Sequence, residues 1–110
     1  MTDLPKCSWP TGVGAETLSF TIFPKDINWN NFGGLYIFAY CTGGTSWKAV
    51  YVGLTEDFSY RMPNHERWQE AVRLGATHGH TLVVTTQAAR EDYERKLIQH
   101  LQHPLNDQLK

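Results

Sequence analysis

The chain has no uninterrupted apolar stretch approaching the ~18 residues that a membrane-spanning helix needs, so none is expected. Cysteine is scarce. Cys7 and Cys41 are too few for a disulfide scaffold, and their spacing matches no zinc pattern. The opening Met1-Thr2-Asp3-Leu4-Pro5-Lys6 lacks the basic segment and apolar core of a secretory signal. A cytoplasmic, reducing location is therefore the expectation. An excess of positive charge is also missing: ten Lys and Arg stand against eleven Asp and Glu, for a net charge of −1. Nucleic-acid binders usually present a basic surface. Any such contact here must be local, metal-assisted or strengthened by a partner. There is no repeat, low-complexity tract or long charge run, and 110 residues suit one domain.

Residues 1–30 read as an N-terminal extension, and residues 31–110 as the principal domain. Pro5, Pro10, Gly12 and Gly14 give residues 1–15 an irregular character. Leu18 to Ile22 alternates apolar with polar residues, as a half-buried edge strand would. Gly34–Tyr40 and Trp47–Gly53 are β-rich runs around Gly43-Gly44, a hairpin signal because tight primed turns need positive φ. With those two glycines as the turn, Tyr40 opposes Trp47, Phe38 opposes Ala49, and Tyr36 opposes Tyr51. The two phenols then share a face. Pro63 should break any helix before Asn64, a good N-cap for a helix whose face carries Trp68, Ala71, Val72 and Gly75, with Gly75 as its stop. Thr81–Thr85 reads as a buried strand. Thr86 then caps a helix with the stripe Ala89, Tyr93, Leu97 and Leu101. The fold class is α+β: a small mixed or antiparallel sheet of three strands, or four with the N-terminal one, flanked by helices.

The tripeptides Gly34-Leu35-Tyr36 and Tyr51-Val52-Gly53 are followed by Arg61, His65, Glu94 and the ending Pro104-Leu105-Asn106. In order and spacing this set, over roughly residues 33–107, resembles the GIY-YIG nuclease family. The resemblance implies a metal-dependent endonuclease that hydrolyses phosphodiester bonds, with DNA as the expected partner. It implies Tyr36 as general base or water-orienting phenol, Tyr51 beside it on the phosphate, and Arg61 on the developing phosphoryl charge. His65 would relay a proton or bond the phosphate, Glu94 would hold one Mg²⁺ or Mn²⁺, and Asn106 would support the site. The residue types suit these tasks. A carboxylate is a hard ligand for a largely hydrated Mg²⁺, and guanidinium is a fork of donors for a crowded anion. A phenol, with pKa near 10, needs a cation beside it to act as a base.

Each residue taken alone has a plainer explanation. Tyrosines favour strands, Arg61 and His65 fit a solvated surface, and Glu94 stands i,i+4 from Arg90. Their joint spacing outweighs these readings, least so for Asn106. His78-Gly79-His80, His100 and His103 lie outside the pattern and read as loop and helix-end histidines. Lys48 opposes Ala39 in the assumed register and so faces away from Tyr51. Leu35 and Val52 stand where the family name has isoleucine, and no appended DNA-binding domain is evident. A protein partner or homo-oligomer supplying further DNA contacts is compatible with the acidic balance. The alternatives are a nuclease for RNA or single-stranded DNA, and a non-cleaving nucleic-acid-binding module.

Overall fold

Alternating apolar and polar residues form the strands of the described chain, and the two described helices pack against the sheet they make. The computed structural model describes residues 6–24, 32–44, 46–58 and 66–101. In chain order these form β1 (Lys6–Pro10), β2 (Thr17–Pro24), β3 (Gly34–Gly43), β4 (Ser46–Thr55), α1 (Glu66–Arg73), β5 (His78–Val83) and α2 (Gln87–Leu101). The strands make one sheet in the order β1-β2-β5-β3-β4, with every pairing antiparallel. The α+β class stands, but with five strands where three or four were expected.

The added strand is β1, which the prolines and glycines of residues 1–15 disguise. Pro10 ends an edge strand, where its missing N–H costs no ladder bond on the open side. Gly12 (φ 86°) and Gly14 (φ 55°) supply the left-handed backbone of the turn into β2. Thr11 tightens that turn: its amide donates to the Glu16 carbonyl at 3.2 Å, and its hydroxyl donates to the Glu16 carboxylate at 2.7 Å.

A second correction concerns β5, which begins at His78 rather than Thr81. The local sequence His78-Gly79-His80 is polar and glycine-bearing. It is nevertheless hydrogen-bonded on both sides, to β2 and to β3, and His80 is completely buried. Tertiary pairing overrides the local propensity here.

The hairpin register also differs. Gly43 pairs with Ser46, which shifts the turn by one residue, and the ladder slips again between Phe38 and Ala39. Tyr36 therefore opposes Gly53, Phe38 opposes Tyr51, Ala39 opposes Ala49, and Tyr40 opposes Lys48. Val50 is the extra residue of the bulge, and it packs on the same side as Tyr51.

The sheet has two covered faces. Leu35, Ile37, Ala39 and Val52 join Trp9, Phe20 and Leu97 on one, with Tyr93, Ile98 and Leu101 of α2 packed against them. Tyr36, Phe38 and Val50 lie on the other, with Phe58, Ala71 and Ala76, and with Trp68 of α1 alongside. Period-two alternation along β3 separates the sets. The stop of α1 is as expected. Gly75 (φ 107°) donates to Val72 at 3.0 Å and Ala76 donates to Ala71 at 2.9 Å, the paired bonds of a glycine-terminated helix. Val72, expected on the packed face, is 38% exposed. The start of α2 is also as expected: the Ala89 amide donates to the Thr86 hydroxyl at 3.3 Å.

Candidate functional site

Tyr36 and Tyr51 share one sheet face, as expected, although they are diagonal neighbours rather than directly opposed. Their ring centroids are 6.2 Å apart. Phe38 completes a triangle with them, 5.4 Å from Tyr36 and 5.9 Å from Tyr51, and Trp68 of α1 meets Phe38 edge-on at 4.7 Å. Aromatic pairs at such distances add about 0.5–1.5 kcal/mol each beyond the area they bury. The cluster therefore fixes the rings firmly.

The glycines of both tripeptides have steric reasons to be glycine. A Cβ on Gly53 would lie 2.8 Å from Cε2 of Tyr36 and closer still to its Cζ and hydroxyl. The phenol of the first tripeptide is thus seated on the third residue of the second. On Gly34 a Cβ would run into the Leu82 carbonyl and come within 2.9 Å of the Val84 nitrogen. The backbone of β5 thus leaves no room for a side chain at Gly34. The shifted register creates the Gly53 seat, and spacing alone did not disclose it.

Exposure divides the two phenols. Tyr36 is 1% exposed, whereas Tyr51 is only partly buried. The register also changes the place of Lys48. It opposes Tyr40, whose ring packs with the Tyr36 side, so it lies on the face of the phenols rather than away from them. Its side chain is exposed.

Glu94 sits on α2 and is partly buried. Burial, and then repulsion from Glu91, push its carboxyl above the usual carboxylate range. Among the described residues it has neither a hydrogen bond nor an ion pair. Arg90, one turn earlier, is committed elsewhere. Its Nε donates to the Val84 carbonyl at 2.7 Å and its Nη1 to the Gln87 side chain at 3.2 Å. Its Nη2 lies 2.7 Å from where a Gly33 Cβ would stand, a position also crowded by the Thr55 and Glu56 carbonyls. Arg90 therefore ties α2 to the ends of β3, β4 and β5, and among the described residues Glu94 is left without a compensating cation. An uncompensated, partly desolvated carboxylate is a candidate functional group. The stripe of α2 packs on the Leu35 and Val52 face, opposite the one that carries Tyr36 and Tyr51.

Arg61, His65 and Asn106 lie outside the described residues, as does His103. His78 and His80 are strand residues rather than loop residues, and His100 is exposed near the end of α2. Among the described residues no group of three or more His, Cys, Asp and Glu could hold a metal ion. No described helix is long and apolar enough to cross a membrane. Compared with protein-family models, curated proteins and solved structures, the chain has no match in any of the three.

Proposed function

We propose that this chain is a small metal-dependent endonuclease of GIY-YIG type that hydrolyses phosphodiester bonds in DNA. The observation that carries the reading is the interlock of the two tripeptides. Tyr36 rests on Gly53, and the Tyr36 and Tyr51 rings stand 6.2 Å apart on one face. Two neighbouring phenols on a rigid sheet can orient one phosphate and the water that attacks it, and positioning contributes much of the barrier reduction in such reactions.

In this reading Tyr36, reacting as the phenolate, takes a proton from the attacking water and becomes the neutral phenol, and the oxygen of that water forms the new bond to phosphorus. The P–O bond to the leaving oxygen breaks, and that oxygen departs with a proton, for which His65 is the candidate donor. Tyr51 bonds the phosphate and Arg61 neutralises its growing charge. Asn106 supports the site. Glu94 fits a divalent ion such as Mg²⁺ or Mn²⁺ in one respect: it is a hard oxygen donor with no ion-pair partner among the described residues. Mg²⁺ often binds through one or two carboxylates while keeping its waters. When bound, such an ion supplies Lewis acidity to the phosphoryl oxygens.

A second reading, a nucleic-acid-binding module that does not cut, draws on two specific observations: the near-complete burial of Tyr36 and the packing of α2 on the opposite face. One assay separates the readings. The purified chain is incubated with duplex DNA, single-stranded DNA and RNA, with Mg²⁺ or with EDTA. Metal-dependent cleavage of duplex DNA is expected. Binding without cleavage in Mg²⁺ and Mn²⁺ would favour the second reading, and preferential cutting of RNA or single strands would change the substrate class.

A further inference from the structure

His80 is the most deeply buried titratable side chain described, with 0% exposure, and the site proposed above makes no use of it. It lies on β5, the strand between β2 and β3, with Ile22 and Ile37 as its ladder neighbours. Its Nδ1 accepts a hydrogen bond from the indole Nε1–H of Trp9 at 2.9 Å. Trp9 belongs to β1, which among the described strands pairs with β2 alone, so this bond ties β1 to a strand it does not otherwise touch in the ladder. Because Nδ1 accepts, the ring's single proton is on Nε2, which has no hydrogen-bond partner among the described residues. Trp47 of β4 meets the ring edge-on at 4.7 Å, and Trp9 lies at 5.6 Å.

This arrangement tolerates only the neutral imidazole. A second proton must go on Nδ1. That turns the acceptor into a donor facing another donor and places a charge among three indole and imidazole rings. The titratable neighbours on this face offer no relief. His78 adjoins the ring on the same strand, Cys7 accompanies Trp9 on β1, β3 carries Cys41, and α2 brings Tyr93. β4 presents Trp47, and β2 presents Leu18, Phe20 and Ile22. Further out, Glu16 in the β1–β2 turn attracts Lys96 of α2, and His100 lies against Gly12. Among the described residues no carboxylate acts on His80 itself.

We infer that the Trp9–His80 bond is an acid-sensitive latch on the N-terminal strand: protonation of His80 removes the acceptor and frees β1, while β2, β5, β3 and β4 stay paired. Burial, helped by repulsion from His78, holds His80 down at about 4 from its ordinary 6.5. The proton is therefore taken up preferentially by the open form. By linkage, the population of that form rises roughly 20-fold between pH 7 and pH 5.

The test is amide exchange on the full chain from pH 7 to pH 4, corrected for intrinsic rates and read strand by strand. The His80 ring is followed by NMR in the same samples. In the wild type, β1 protection should fall roughly 20-fold by pH 5, while β3 and β4 protection holds. His80→Asn keeps an acceptor near the Nδ1 position without the titration, and it should make β1 protection nearly independent of pH. Trp9→Phe should leave β1 weakly protected throughout. Unchanged β1 protection down to pH 4 would overturn the inference, as would loss of all strands together or the same pH profile in His80→Asn. Should His80→Asn not fold, the wild type alone decides. The β1 opening must follow the acid uptake of His80, and an opening that tracks another group refutes the latch.

Discussion

Gly53→Ala tests the central contact of the candidate site. Gly53 has no positive φ, so its backbone suits any residue and the demand for glycine is purely steric. A new methyl would overlap the Tyr36 ring, with Cε2 at 2.8 Å and Cζ and the hydroxyl nearer still. Restoring an ordinary carbon contact of ~3.7 Å requires the ring to withdraw by roughly 1 Å. Tyr36 is 1% exposed and lodged against Phe38 and Tyr51, so it has nowhere to go without repacking. Overpacking of this kind costs about 1–3 kcal/mol. Against it stands a gain of about 0.4–1 kcal/mol from stiffening the unfolded chain. The net is a loss of roughly 1–2 kcal/mol, read by urea unfolding followed by circular dichroism. If Tyr36 acts on the substrate, a displacement of about 1 Å should also reduce cleavage by about 10²-fold. The control is the same change in a Tyr36→Leu background, where the obstructing ring is gone and Gly53→Ala should become neutral or slightly stabilising. An equal cost in both backgrounds, or a Gly53→Ala protein as stable as the wild type, would refute the seat.

Arg90→Ala should cost about 1.5–3 kcal/mol, because it removes a charge-assisted bond and strands the Val84 carbonyl; a Tm within a degree of the wild type would show that the tie between α2 and the strand ends is dispensable. Glu94→Gln should abolish metal-dependent cleavage while leaving Tm at pH 7 equal or higher. The sign follows from the upward displacement of this carboxyl: its contribution is favourable below its unfolded value and is lost as pH rises through the folded one, so the neutral glutamine gains on the wild type as pH increases from acid to neutral. A Glu94→Gln protein that unfolds, or that cleaves at the wild-type rate in Mg²⁺, would remove Glu94 from the proposed chemistry.

Elements with a local cause were legible in the sequence. The Thr86 cap, the stripe of α2 and the Gly75 stop each depend on a few adjacent residues, and each stands where the pattern put it. Features decided across the sheet were not. The hairpin was evident from two β-rich runs and a glycine pair, but its register depended on whether Gly43 sat inside the turn or beside it. A one-residue difference there, with the Val50 bulge, exchanged the partners of Tyr36 and Tyr51. The phenols kept a common face because both remained at even offsets along their strands, but the steric reason for Gly53 appeared only with the true pairing.

The N-terminal strand shows the same limit more sharply. Pro5, Pro10, Gly12 and Gly14 are signals of irregular chain, and His78-Gly79-His80 is a signal of a loop. Each segment misleads when read alone, yet each contributes to the burial of the other. Trp9 loses its solvent because His80 offers its indole an acceptor 71 residues away, and His80 can be buried neutral because Trp9 supplies that donor. Neither residue carries a local mark of its partner. A polar tripeptide in a paired strand and a proline-flanked edge strand are thus two halves of one interaction, and a reading that proceeds window by window discards both.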